Sequence, residues 1–304
     1  MPHVIHCAPH YHPLVRRNNT NQQLFSVQLV DGAWAAQFID DISREIPDIH
    51  KVYTSYPSGV LRADLLRYLI LWYYGGYYAD IDIYPARSIM SCPALDELFT
   101  QDGSHNVSLM LGIEIDEPYA SPKLKRDWHW SRSYGFIQYT MYAPQRFSPL
   151  LRRAIVRVLA HTKQHQQRSN FFLGPRYKES LILEVTGPGM FTDAILDVLS
   201  ETLPSTHPLV TFSVEQDSTV GELKTKSGGV QRRVTWAPFH RLKHPLWVDS
   251  SRENDMGGLG VLPISVWGNG QRHSEAGGFN HPQACINHRF GRIWKKGWWE
   301  YLFG

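Results

Sequence analysis

Residues 73–88 read YYGGYYADIDIYPARS. The run Tyr77–Ile83 has the Tyr and Ile content of a buried strand, yet Asp80 and Asp82 interrupt it. Residues i and i+2 of a strand point to one side, so the spacing predicts that the two carboxylates face together while Ile81 and Ile83 face the opposite layer. Two like charges on one face repel and are costly to desolvate, so something must neutralise them. Hard-oxygen ligands of this kind suit Mn²⁺ or Mg²⁺. An exposed edge strand carrying a solvated pair is the competing reading. Just upstream, Leu61, Leu65, Tyr68, Leu69 and Trp72 recur at helical spacing over 59–74, and Gly75-Gly76 supplies the stop. Asp64 and Arg67, at i and i+3 on that helix, share one face and feed directly toward the carboxylates. Their competing reading is a surface ion pair of little worth.

The chain has 304 residues, 42% of them hydrophobic and 12% aromatic, enough for a large core and incompatible with global disorder. The net charge of +3 is spread along the sequence, which argues against nucleic acid as a partner. Basic residues gather in SPKLKRDWHW (121–130) and RIWKKGWW (292–299), interleaved with Trp, as on a solvated face or a phosphate or sugar surface. Cys7, Cys92 and Cys285 are few and far apart; they fit a reducing compartment or at most one bridge. No apolar run is long enough to span a membrane, and MPHVIHCAPHYHP lacks a charged-then-apolar signal. The expectation is a soluble, cytoplasmic chain, or one in the Golgi lumen if an anchor has been removed. His3, His6, His10 and His12 lack a regular ligand spacing and are not read as metal ligands.

Along the chain, residues 3–8 (HVIHCA) read as a short buried strand and 21–46 as mostly helical. A strand is expected over 107–115, helices over 148–162 and 190–200, and late strands at 258–267 and 283–290. Residues 116–135 read as a long functional loop, and 214–235 as an exposed hairpin or loop. Strands alternating with helices predict an α/β fold, a single domain over 1–304 with a mostly parallel central sheet flanked by helices. Gly187-Pro188-Gly189 is either a place where backbone approaches a ligand or a plain helix-start turn. Glu114 ends an apolar strand and is either a ligand contact or, the favoured reading, an ordinary strand-end carboxylate.

The string RADLLRYLILWYYGGYYADIDIYP resembles the core signature of the family 32 glycosyltransferases, and a related string occurs in clostridial glucosylating toxins. IQYTMYAPQRFSPLL (137–151), TGPGMFTDAIL (186–196), VLPISVW (261–267) and ACINHRFGRIW (284–294) are similar, in the same order, to blocks of the fungal α-1,6-mannosyltransferases that initiate outer chains. The resemblance implies a GT-A-type, Rossmann-like fold and a retaining, metal-dependent transfer. GDP-mannose is the first expectation for the donor, with a glycan, lipid or small molecule as acceptor and 116–135 and 214–235 as acceptor-side loops. It further implies that Asp82 binds Mn²⁺ or Mg²⁺, and that Asp80 contacts the ribose or a metal-bound water. Asp64 and Arg67 would hold donor-sugar hydroxyls, His288 would reach the metal or diphosphate, and Trp294 would cover the donor, with Gly187 beside it. Gln138 is a candidate for the same pocket only through this resemblance.

The C-terminal block departs from the family pattern: Gly-Ser-Trp becomes Gly291-Arg292-Ile293-Trp294, displacing the tryptophan by one position. UDP-glucose, UDP-galactose and UDP-N-acetylglucosamine remain open as donors, as does a non-catalytic sugar-binding homologue. A phosphatase of the Asp-x-Asp type would need Thr or Val where Tyr84 stands.

Overall fold

A computed structural model describes residues 4–9, 25–88, 91–96, 106–169, 174–224, 228–249 and 257–288. Three helices, α1 (Gly32–Ser43), α2 (Pro47–Ser55) and α3 (Gly59–Tyr74), open the helical layer. Helix α3 is buried on most sides, Asp64 and Arg67 included, as expected of a helix that is apolar nearly all round. Ser58 caps its start by accepting from the Val60 N–H at 3.3 Å. Gly75 ends it with φ 67°, its N–H returning to the Leu71 carbonyl at 2.9 Å, and Gly76 follows at φ 89°. A Cβ on Gly75 would meet the Gln145 and Arg146 backbone at 3.1 and 3.2 Å, so both sterics and φ require glycine there. The chain thereby turns straight from α3 into β3.

The strands are β1 (Val4–Pro9), β2 (Phe25–Val30), β3 (Gly76–Asp80), β4 (Ile83–Pro85), β5 (Leu109–Asp116), β6 (Tyr134–Phe136) and β7 (Thr140–Ala143), then β8 (Glu222–Lys224), β9 (Val230–Arg232), β10 (Leu246–Val248), β11 (Leu259–Leu262) and β12 (Ile286–His288). The main sheet runs β10-β11-β5-β7-β3-β1-β2, with β6 on β5. Of its pairings only β11–β5 is parallel; the others are antiparallel. The expected α/β layering is present, but the mostly parallel sheet is not. Two antiparallel strands lie where the pattern suggested something else, β2 inside the stretch read as helix and β6 inside the stretch read as loop, and β7 lies in a stretch to which no element was assigned. Strands of three to six residues give too little periodicity to reveal their direction.

Side-chain alternation assigns the two faces. Tyr78, Leu109, Leu111, Ile113, Met141 and Ala143 pack with the helices, including Pro149–Arg168 and Pro188–Thr202. Tyr77, Ala79, Met110 and Tyr142 pack on the other face with Leu95, Trp267 and Ile286. The 116–135 stretch holds the helix Pro122–Asp127 as well as β6, and 214–235 carries the β8–β9 hairpin. Among the described residues, no helix is long and apolar enough to cross a membrane.

The second face is closed by a small β4–β12 ladder, in which Ile83 pairs with His288 and Pro85 with Ile286. A disulfide between Cys92 and Cys285, 193 residues apart, pins the chain just before β12 to the segment after β4. Both sulfurs are buried, and the bridge closes a long loop. Replacing Cys285 with Ser should cost about 4 kcal/mol of unfolding free energy; equal denaturation midpoints for the variant and the oxidised wild type would contradict this.

Candidate functional site

The site begins at the end of β3. Asp80 is the last strand residue, and Ile81-Asp82 form a turn before β4. The carboxylates therefore do not share one strand face. Asp80 has the parity of Tyr78 and points toward α3. The turn carries Asp82 toward the other layer and leaves Ile81 exposed, while Ile83 is buried.

On the helix side, Arg67 joins two carboxylates. Its Nη1 donates to Asp64 at 2.9 Å, its Nη2 reaches both Asp80 oxygens at 3.3 Å, and its Nε donates to the Tyr78 hydroxyl at 3.3 Å. The Tyr78 hydroxyl in turn donates to Asp80 at 2.7 Å. Asp64, 2% exposed, also accepts from Thr186 Oγ1 at 2.7 Å and Gln138 Nε2 at 3.3 Å. Tyr68, stacked on Phe191, bonds Gln138 through its hydroxyl and lies 3.0 Å from the Thr186 carbonyl. Gln138 is thus part of the cluster. Thr186 begins the Thr-Gly-Pro-Gly turn and is the residue of that turn which reaches the cluster.

On the other side, Asp82 Oδ1 lies 3.2 Å from His288 Nε2. The imidazole stacks on Tyr139 with centroids 4.4 Å apart and planes 6° from parallel, and the Tyr139 carbonyl accepts from the Asp80 N–H at 2.9 Å. The fold so unites Asp64, Arg67, Asp80, Asp82 and His288. Gly187 differs: a Cβ there would come 2.7 Å from the Leu183 backbone, so its space is taken by the preceding helix, Glu179–Val185. Trp294 lies outside the described residues.

Charge at this site is unbalanced. Burial pushes the Asp64 and Asp80 carboxyls upward, and Arg67 opposes it for both. Burial works against the Arg67 charge, but Asp80, Tyr78 and Asp64 outweigh it and hold the guanidinium charged. Glu114 on β5 belongs to the same field. Burial pushes it up to about 7, His288 and Arg67 pull it back, and Asp80 adds to the rise. Among the described residues, four acidic side chains thus gather around Arg67 and His288. Tyr78 was legible in principle through its parity with Asp80; Tyr139 and Thr186 carry no local signal.

Removing Arg67 would leave Asp64 charged, buried and uncompensated. Arg67→Ala should lose about 3–5 kcal/mol of stability, and Thr186→Val about 1–3 kcal/mol through an unmet acceptor. Urea unfolding reads both, and wild-type midpoints in both variants would refute the cluster.

With that geometry in place, the chain can be compared with known proteins. Residues 11–102 match the family model described as "Glycosyltransferase sugar-binding region containing DXD motif". The chain is 26% identical over 84% of its length to an initiation-specific α-1,6-mannosyltransferase of Candida albicans, covering 60% of that protein. Those of Schizosaccharomyces pombe and Saccharomyces cerevisiae are 28% and 23% identical over 82% and 85% of this chain, which spans 50% and 68% of their lengths. A solved structure, the PaToxG glycosyltransferase, shares 16% identity over 57% of this chain and 41% of its own, at a TM-score of 0.28 too low to bear on the fold. Residues 11–102, which include Asp64, Arg67, Asp80 and Asp82, are thus similar to the DXD-containing region of glycosyltransferases, and the chain as a whole is similar to the initiation-specific α-1,6-mannosyltransferases.

Proposed function

We propose that the chain is the catalytic unit of a retaining, GT-A-type glycosyltransferase. In this reading it moves mannose from GDP-mannose to the hydroxyl of a glycan, lipid or small-molecule acceptor. The observation that carries the proposal is the gathering of four acidic side chains, Asp64, Asp80, Asp82 and Glu114, around Arg67 and His288 at the end of β3. Such a field invites a divalent cation and, with it, a diphosphate.

The donor set fits Mn²⁺ or Mg²⁺ in part. Among the described residues, no three His, Cys, Asp or Glu side chains are grouped to hold a metal by themselves. Asp82 and His288 are the two side chains that would hold it, because Asp80 is engaged by Arg67 and Tyr78. Substrate oxygens would complete the shell. Bound there, the cation supplies neutralisation of the charge that develops on a departing diphosphate.

The chain's own residues do the remaining work. Arg67, charged and held on three sides, fixes the direction of Asp80, whose side chain is 27% exposed and can accept from a ribose or sugar hydroxyl. Asp64 is a positioning residue that acts through Arg67. The imidazole of His288, held flat against Tyr139, offers a phosphate oxygen either a metal-bound partner or, when protonated, a donor. No buried nucleophile is needed for a same-face transfer in which the leaving phosphate takes the acceptor proton. The buried Cys92–Cys285 bridge supports an oxidising lumen in place of the cytoplasm. In this reading 1–304 is one domain, with 116–135 and 214–235 on the acceptor side.

Titration of GDP in Mn²⁺ and in EDTA tests the site. Affinity should fall at least tenfold in EDTA, and Asp82→Asn and His288→Ala should each lose most of the metal-dependent gain. Equal affinity with and without metal would remove the cation from the reading. A panel of GDP- and UDP-sugars assayed for nucleotide release tests the reaction, and release from none of them would remove the transferase.

A further inference from the structure

Beyond the carboxylate end, β5 organises a second cluster. Asp116, two residues and about 7 Å along the strand from Glu114, is 1% exposed. Its carboxylate pairs with His240 Nδ1 at 2.7 Å and accepts from the Arg241 N–H at 2.7 Å; its own N–H donates to Ser274 Oγ at 2.8 Å. Glu117 accepts from the Ser274 N–H at 2.7 Å and from Arg241 Nη2 at 3.4 Å. One strand end therefore fastens two loops, 236–241 and 273–275.

Those loops meet the aromatic residues of 116–135 in two groups. Tyr119, Trp236 and His240 stand nearly perpendicular to one another, at 84–90° with centroids 5.4–5.9 Å apart. Trp128 and Trp130 stack at 5.6 Å, and the His273 ring sets its edge against both at 5.0 and 4.7 Å. Burial pushes His273 down to about 4 against the pull of Glu117, so it is neutral at neutral pH and its ring can accept a hydrogen bond. Tyr119 is 76% exposed, the most exposed large hydrophobic side chain among the described residues.

Backbone conformation singles out the same place. Five described non-glycine residues have positive φ, and four of them, His129, Arg241, Ser274 and Glu275, belong to these loops. Left-handed backbone at such residues persists where surrounding structure enforces it, often at binding sites. A small cleft bounded by Arg241, Ser274, Glu275 and His281 opens beside them.

We propose that this surface is the acceptor subsite and that its occupant is a pyranose of a glycan; the proposal rests on the glycosyltransferase reading above. Rigid rings give large contact area at little entropic loss, and the C–H face of a pyranose lies flat against them. The part-exposed side chains of His240, Arg241 and Glu275 stand beside the rings and match a ligand that presents hydroxyls around its edge. A lipid chain or an apolar peptide would use none of these polar groups. Asp116, which fastens these loops, belongs to the same strand as Glu114, so β5 links the surface to the carboxylate end.

The test is titration of α-1,6-mannobiose, with glucose and galactose disaccharides alongside, into the protein without donor, followed by tryptophan fluorescence. Saturable binding of the mannoside is expected, weakened at least tenfold in Trp130→Ala and in Tyr119→Ala, with the loss confined to the sugar titration. Tyr119 is so exposed that its variant decides the matter if Trp130→Ala does not fold. Wild-type affinity in Tyr119→Ala, or no saturable binding of any of the sugars, would overturn the subsite. Ring-dependent sugar binding without nucleotide release from any donor would leave the subsite standing and remove the transferase. Nucleotide release with unaltered sugar binding in the variants would do the reverse.

Discussion

The site depends on a single guanidinium shared between two buried carboxylates. Arg67 belongs to α3 and Asp80 to the strand that follows, so their contact fixes the angle at which helix and strand meet. That angle is also set covalently, by Gly75 and Gly76 at positive φ. Backbone and charge agree, and the agreement places the Ile81-Asp82 turn at a defined spot on the rim of the sheet. A buried ion pair alone is weak evidence of stability, because desolvation offsets attraction. Here the pair is saturated by Thr186, Gln138 and Tyr78, which converts a potentially costly burial into a rigid mount.

A division of labour follows from the turn. Asp80 faces the guanidinium of Arg67, while Asp82 faces the imidazole of His288. The two carboxylates thus have different partners on different elements. Two strand-borne carboxylates on a single face would have competed for one ion. Separating them by a turn gives each its own electrostatic task.

The sequence carried much of this. The helix over 59–74, its glycine stop and the shared face of Asp64 and Arg67 were legible because each rests on local spacing, whereas the same kind of spacing wrongly put Asp80 and Asp82 on one strand face. His288 was legible by resemblance alone, since its route to Asp82 runs through the β4–β12 ladder across some two hundred residues. Sheet direction was not legible. Alternation of strands and helices constrains which elements are neighbours, but β2, β6 and β7 are too short to show which way they run. The apolar positions Leu24 and Val27 fit a helical pattern as well as a strand, and pairing of Phe25–Val30 with β1 decided the matter. The aromatic surface beyond β5 lay within a segment whose composition marked it as functional. Its organiser, Asp116, stood at the start of the stretch read as a loop and is in fact the last residue of β5.

The β4–β12 ladder has a consequence for biogenesis. A chain emerging from the ribosome makes Asp82 early and His288 late, and the pairing that joins them is among the most distant contacts in the molecule. Contacts of high sequence separation form slowly, because a large loop must close first. The helical face around α3 can therefore assemble while the second face still lacks its last strand. Chains stalled before β12 would own a packed core and an Asp82 with no imidazole beside it. Completion of the site then waits on the synthesis of β12, however early the helical face has packed.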